Sequence, residues 1–264
     1  MFSCSAQSSS FMSEKGIAYE LEGEGVLVVF IHGSNLDRRM WATQLDYFKN
    51  SAKLLAYDLR GLGSSEIPTQ PYSDVEDLIQ LLDELHESNP VIVGLSAGAQ
   101  VALDFALSRP EKVRKVVLVS PSLNGYAPSA TPPYLTDLID AIRNQDYQRA
   151  DEVLLGSELM SVPSEHTDLV REMVTSSRQW NLSYELIQQS SASVLANLNR
   201  INAQTLIMIG GSDIAAITEL GNHLSNELPN ARIIDIPEGR HLLNLSNPAE
   251  FNEAIAEFLE FSTR

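Results

Sequence analysis

The chain has a single cysteine, Cys4, in 264 residues. No intrachain disulfide can staple it, and no thiolate cluster can hold a metal. Basic residues are scarce: 18 Lys and Arg stand against 35 Asp and Glu, a net charge of −17. Such an acidic surface repels nucleic-acid phosphates and anionic lipid, so neither is an expected partner. No run of about 18 uncharged apolar residues occurs, which argues against a membrane span. Metal-ligand spacing and a Gly-x-Gly-x-x-Gly loop are also missing, so neither metal nor cofactor is expected. Residues 1–14 are serine-rich but have no basic start and no apolar core of signal-peptide length. They read as a flexible tail, and the expected location is the cytoplasm.

What is present is ordinary soluble-protein material, 44% hydrophobic and 20% charged, in a length that suits one large α/β domain with room for an inserted subdomain. The stretch that organises the rest is Val91-Ile92-Val93-Gly94-Leu95-Ser96-Ala97-Gly98. An apolar run breaks into Gly-x-Ser-x-Gly and then into helix-forming sequence, Ala99 to Leu107, which predicts a buried strand, a sharp turn and a helix. Gly94 and Gly98 let strand and helix approach, while Ser96 stands where the chain reverses, above the end of a sheet and beside the first amides of a helix. That is a layout for a nucleophile.

Further strands are predicted at Gly16 to Glu22, Val26 to Ile31, Lys53 to Tyr57, Lys115 to Ser120, Gln204 to Gly210 and Arg232 to Ile236. Helices are predicted at Met40 to Lys49, Asp74 to about His86, about 217 to 227, and after Asn247-Pro248, the last with Asn247 as cap. Strand, loop and helix alternate, which predicts a parallel sheet covered on both faces. The rhythm fails only between residues 121 and about 180, where helical segments follow one another without a comparable strand. A helical cap over 123–180 is therefore expected above the carboxyl ends of the sheet, with residues 15–122 and 181–264 forming the core.

Four pieces in order carry a resemblance: His32-Gly33 after a strand with Trp41 nearby, Asp58-x-Arg60-Gly61-x-Gly63-x-Ser65, Gly94-x-Ser96-x-Gly98, and Asp213 followed by His241. With these the chain resembles the α/β-hydrolase fold superfamily from about Gly16 to Phe261. The resemblance implies a mostly parallel eight-stranded sheet with helices on both faces and the cap inserted after the sixth strand, the one at Lys115 to Ser120. It also implies an oxyanion hole at the backbone amides of Ser34 and Ala97.

A serine hydroxyl needs a base to accept its proton as it attacks. Of five histidines, His86 and His223 fall in predicted lateral helices, His166 in the cap, and His32 at the first Gly-rich loop, where a packed, loop-shaping role is expected. His241 alone follows the last strand at the carboxyl edge, which makes it the expected general base. The base needs a carboxylate to fix its tautomer. Ser120-Pro121-Ser122-Leu123-Asn124-Gly125 offers none, whereas Asp213 stands three residues past the seventh strand, so Asp213 is the expected orienting acid. Relatives usually carry proline soon after this aspartate, and here Ile214-Ala215-Ala216-Ile217 follows. Asp58 is the rival acid, expected to be structural, with Arg60 as its partner.

The expected activity is cofactor-independent cleavage of a small or medium carboxylic ester or lactone through an acyl-enzyme on Ser96. Carbon–carbon bond hydrolysis, perhydrolysis or a lyase reaction on the same triad, and a weakly catalytic ligand receptor, are the alternatives. His32, Leu95, Tyr126, Met160 and Trp180 are candidate pocket residues, with Tyr134 and Leu159 beside them. For the aromatic and aliphatic cap residues, packing of cap helices is the favoured role. The expected partner is a small ester-like molecule, and the chain is expected as a monomer or homodimer.

Overall fold

The computed structural model describes residues 10–177, 186–187 and 193–261. Its strands, numbered in chain order, are β1 (Ser10–Met12), β2 (Ala18–Glu22), β3 (Leu27–Ile31), β4 (Lys53–Tyr57), β5 (Val91–Leu95), β6 (Lys115–Val119), β7 (Gln204–Gly210) and β8 (Ala231–Ile236). They form one eight-stranded sheet in the order β1-β2-β4-β3-β5-β6-β7-β8. From β4 to β8 every pairing is parallel, and β2 alone runs against the others, pairing antiparallel with both β1 and β4. The first strand lies inside the segment expected to be a tail: Ser10, Phe11 and Met12 pair with Glu20, Tyr19 and Ala18, and Phe11 stacks on Tyr19.

Alternate residues of the central strands point to opposite faces and feed two separate cores, which is why these strands read as continuous apolar runs. Val29 and Ile31 join the core beneath α2 (Asp74–Glu84), α3 (Ala97–Ser108) and α7 (Ala215–Glu227). Val28 and Phe30 join the one beneath α1 (Ala42–Phe48) and α8 (Pro248–Leu259), where Trp41, Phe48, Phe251 and Ile255 are buried. Between β6 and β7 stand α4 (Pro133–Arg143), α5 (Tyr147–Leu155) and α6 (Thr167–Ser176). This helical insert puts Leu154, Met160, Val170, Met173 and Val174 into the second core. No helix among the described residues is long and apolar enough to cross a membrane.

The strand order places the site. The chain moves from β3 outward to β4 on one side and to β5 on the other, so the loops leaving β3 and β5 diverge and open a crevice at the carboxyl edge. Those two loops are His32-Gly33-Ser34 and the turn at Ser96.

Candidate active site

Ser96 adopts φ 53° and ψ −112°, a conformation a non-glycine residue holds only when its surroundings enforce it. The enforcement is visible in the neighbours. Ser96 N–H donates to Val119 O on β6 at 3.0 Å, and Ser96 O accepts from Ala99 N at 2.9 Å. A Cβ on Gly94 would overlap the Gly98 carbonyl, and one on Gly98 would overlap the Ile31 carbonyl, so only glycine lets α3 sit this close to β5 and β3. The hydroxyl is half-buried at the sheet edge.

The Gly33 loop lies against this turn: a Cβ built on Gly33 would stand 3.3 Å from the Ser96 Cβ. Ser34 follows at once. Ala97 opens α3, so its amide is one of the helix-start donors without an intrahelical partner. Among the described residues neither the Ser34 nor the Ala97 amide donates a hydrogen bond. Two uncommitted N–H groups thus flank the serine.

At the other end of the edge, close approaches again fix the loops. A Cβ on Gly210 would overlap the Gly239 carbonyl, and Ser212 N donates to Gly239 O at 2.9 Å. The turn after β7 and the turn after β8 are thereby joined, and they carry Asp213 and His241. His241 Nδ1 lies 3.1 and 3.0 Å from the two Asp213 carboxylate oxygens, and Ile214 N donates to Oδ1 at 2.8 Å. Both side chains are almost completely enclosed. A carboxylate facing the ring accepts, so Nδ1 is the donor of this pair, and among the described residues Nε2 has no hydrogen-bond partner. Among the described residues no hydrogen bond joins the Ser96 hydroxyl to the imidazole. Isoleucine at 214 and alanine at 215 and 216 thus leave the acid in hydrogen-bond contact with His241.

His32 has the packed role. It is fully buried, Nδ1 donates to Gly33 O at 2.8 Å, and Leu59 N donates to Nε2 at 2.9 Å. Burial lowers its pKa, which keeps the ring neutral and lets Nε2 accept. The histidine therefore ties the β3 and β4 loops together. Leu95 and Met160 are buried in the second core. Tyr126 donates to Glu219 Oε1 at 3.2 Å and lies against His223, so it engages α7. Trp180 lies outside the described residues.

Asp58 is fully buried and takes Arg38 as its ion-pair partner, with Arg38 N and Ser64 N each donating to the carboxylate at 2.8 Å. This corrects the pairing expected with Arg60. Arg60 instead reaches α2 and forks onto both oxygens of Asp77 at 2.7 Å. The reason is direction: Arg38 enters from the loop after β3 beside the β4 end, whereas Arg60 has already turned outward past it.

Between the insert and the residues after Asp213 opens a cavity of about 330 Å³, lined by Pro132, Tyr134, Ser157, Glu158, Ile214 and Ala216 among others. The Tyr134 phenol is raised to about 12 by burial and by the charges of Asp213 and Glu158, so it stands within the field of the buried acid. Two contacts carried no sequence signal, Arg240 Nη1 to Ser161 Oγ at 3.0 Å and Asn35 Nδ2 to Ser177 Oγ at 2.8 Å. Each joins a loop of the core edge to the insert.

A sequence profile of the Alpha/beta hydrolase family matches residues 28–254. The chain belongs to that family. Among curated relatives, the pimeloyl-[acyl-carrier protein] methyl ester esterase of Chromobacterium violaceum is 27% identical over 251 residues, covering 91% of this chain and 97% of its own. The (E)-2-((N-methylformamido)methylene)succinate hydrolase of Acinetobacter baylyi is 24% identical over 259 residues, covering 92% and 93%. Among solved structures, an esterase from Exiguobacterium antarcticum superposes with a TM-score of 0.80 at 20% identity, over 96% of this chain and all (100%) of that one. The hydrolase relatives share the whole fold with this chain, and at this identity their substrates are their own.

Proposed function

We propose that the chain is a serine hydrolase that cleaves a small or medium carboxylic ester or lactone through an acyl-enzyme, with no cofactor. The observation that carries this reading is the enclosed His241–Asp213 pair on the sheet edge that also bears the strained Ser96. Ser96 Oγ attacks the ester carbonyl as His241 Nε2 takes its proton. The oxyanion that forms is met by the Ser34 and Ala97 amides, each worth on the order of 3 kcal/mol in reactions of this kind. The intermediate then collapses, His241 returns the proton to the leaving alcohol, and the acyl group stays on Ser96. Water repeats the cycle and releases the acid.

The imidazolium that exists between these steps faces Asp213, which stabilises it and holds the tautomer. The Ser96–His241 contact tightens when substrate binds, as it does in enzymes whose free form keeps it loose.

The test is a fluorophosphonate probe read by intact mass, run beside p-nitrophenyl esters of increasing chain length. The expected result is one adduct on Ser96, turnover of the shorter esters, and loss of both in Ser96→Ala. A well-folded protein that takes no label and turns over no ester would overturn the reading in favour of a ligand receptor.

A further inference from the structure

The loop that supplies the Ser34 amide is closed as a four-residue turn, Leu36 N donating to Gly33 O at 3.3 Å. Ser34 and Asn35 are its two central residues, and Asn35 has φ 60°, the left-handed value that a type II turn demands at that place. Asparagine tolerates this conformation better than most residues. Its side chain then does something the turn does not need. Nδ2 donates to Ser177 Oγ at 2.8 Å, 142 residues away, and Ser177 Oγ donates onward to Val174 O at 2.7 Å.

The direction of this relay is fixed chemically. An amide NH₂ can only donate, so the Ser177 hydroxyl must accept from Asn35 and spend its proton on Val174. Val174 O lies in the last turn of α6, where carbonyls lose their helical partners. Both Asn35 and Ser177 are buried, so neither bond has water as a ready substitute. A second link between this segment and α6, Arg39 to Glu172 at 2.7 Å, is largely exposed and contributes little.

We infer that Asn35 and Ser177 are positioning residues: the end of α6 in the helical insert holds the turn that aims the Ser34 amide. Movement of the insert over a bound ligand is then transmitted to the oxyanion donor. The inference rests on Ser34 serving as that donor, and it adds that the insert sets catalytic rate as well as access. A contact that merely packed the insert would affect substrate binding or stability and leave the turnover step alone.

The test compares Ser177→Ala, Ser177→Thr and Asn35→Gly with the wild-type chain. Asn35→Gly keeps the left-handed turn and removes only the amide, and melting temperatures identify any variant that fails to fold. Loss of one buried hydrogen bond corresponds to about a fivefold effect. The expected result is a roughly fivefold fall in kcat with KM within about twofold in Ser177→Ala and Asn35→Gly. Ser177→Thr, which keeps the hydroxyl, restores the rate. Amide hydrogen exchange across residues 33–37 rises by a similar factor in the first two variants. Unchanged exchange there, or a change confined to KM, overturns the inference. If the wild-type chain turns over no ester, the hydrolase reading fails, and exchange alone still decides whether the insert holds the turn.

Discussion

Replacement of Asp213 by asparagine separates a hydrolase from a folded relative that lacks the chemistry. The side chain keeps its shape, and one oxygen can still accept from Ile214 N, now at 2.8 Å from Oδ1. What changes is the group facing His241, which sits 3.0 to 3.1 Å from the carboxylate. An asparagine NH₂ turned that way donates, so Nδ1 must accept and the imidazole proton moves to Nε2, the atom required as the base. Charge is lost as well. An imidazolium and a carboxylate whose centres are about 4 Å apart attract by about 4 kcal/mol at the effective dielectric of a protein, and that stabilisation exists only once the proton has moved. At about 1.4 kcal/mol per decade this alone costs about three decades of rate. Saturating p-nitrophenyl ester turnover should therefore fall by about 10³ to 10⁴, with the midpoint of thermal unfolding little changed. A well-folded Asp213→Asn protein retaining more than a tenth of wild-type kcat would refute the assignment of this acid.

Two further substitutions probe the fold around the site. Asp58→Ala leaves the largely buried Arg38 guanidinium with Glu20, at 3.1 Å, as its remaining carboxylate and removes the acceptor of two backbone amides. It should cost about 3 to 5 kcal/mol in urea unfolding, and a loss below about 1 kcal/mol would show that the pair is not structural. The pKa of Asp74, at the start of α2, is raised to about 7 by burial and by the charges of Asp77 and Asp104, against the opposing pull of Arg60, and among the described residues its buried Oδ1 has no hydrogen-bond partner. The folded protein holds this proton more tightly than the unfolded chain, so the contribution is present below about pH 4 and is lost as pH rises through about 7. Asp74→Asn should accordingly stabilise the protein by about 1 to 3 kcal/mol at pH 8 and by much less at pH 5, and an equal effect at both values would refute the titration.

The parts of the fold that the sequence made legible are those in which backbone need and side-chain type coincide. Gly94, Ser96 and Gly98 could be read because the turn tolerates nothing larger on either side of the serine. The strands of the centre could be read because both of their faces are buried, which leaves apolar runs with no polar interruption. Legibility ended where one residue type serves several geometries. Asn247 occupies the cap position predicted for it, at φ −137° and ψ 59°, yet its side chain makes no cap hydrogen bond. Met40 was expected to open a helix, and it falls in a 3₁₀ turn, Arg38–Trp41, that Asp37 caps before α1 begins. His86 was expected in α2 and lies beyond its end, with φ 56°. Ser10–Met12 escaped because three residues are too few to show period-two alternation. Asn35 and Ser177 escaped because a bond across 142 positions leaves no local pattern.

Asp58 and Asp213 are both buried carboxylates in turns at the carboxyl edge, and burial alone cannot say which of them serves chemistry. Their partners decide. Arg38 is a permanent cation, so the attraction it offers Asp58 is the same before, during and after any reaction at Ser96. An interaction equal in ground and transition states holds structure and changes no barrier. His241 is a switchable cation. In the mechanism proposed here, the neutral ring gives Asp213 one ordinary hydrogen bond, and when it accepts the serine proton the same pair becomes a salt bridge at the same distance, without reorganisation. The stabilisation therefore appears when the barrier is crossed and disappears when the proton is passed on, which is the condition for acceleration. By this criterion the order of the two acids along the chain is immaterial. In the proposed mechanism the acid opposed by imidazole serves the reaction, and the one opposed by guanidinium holds the fold.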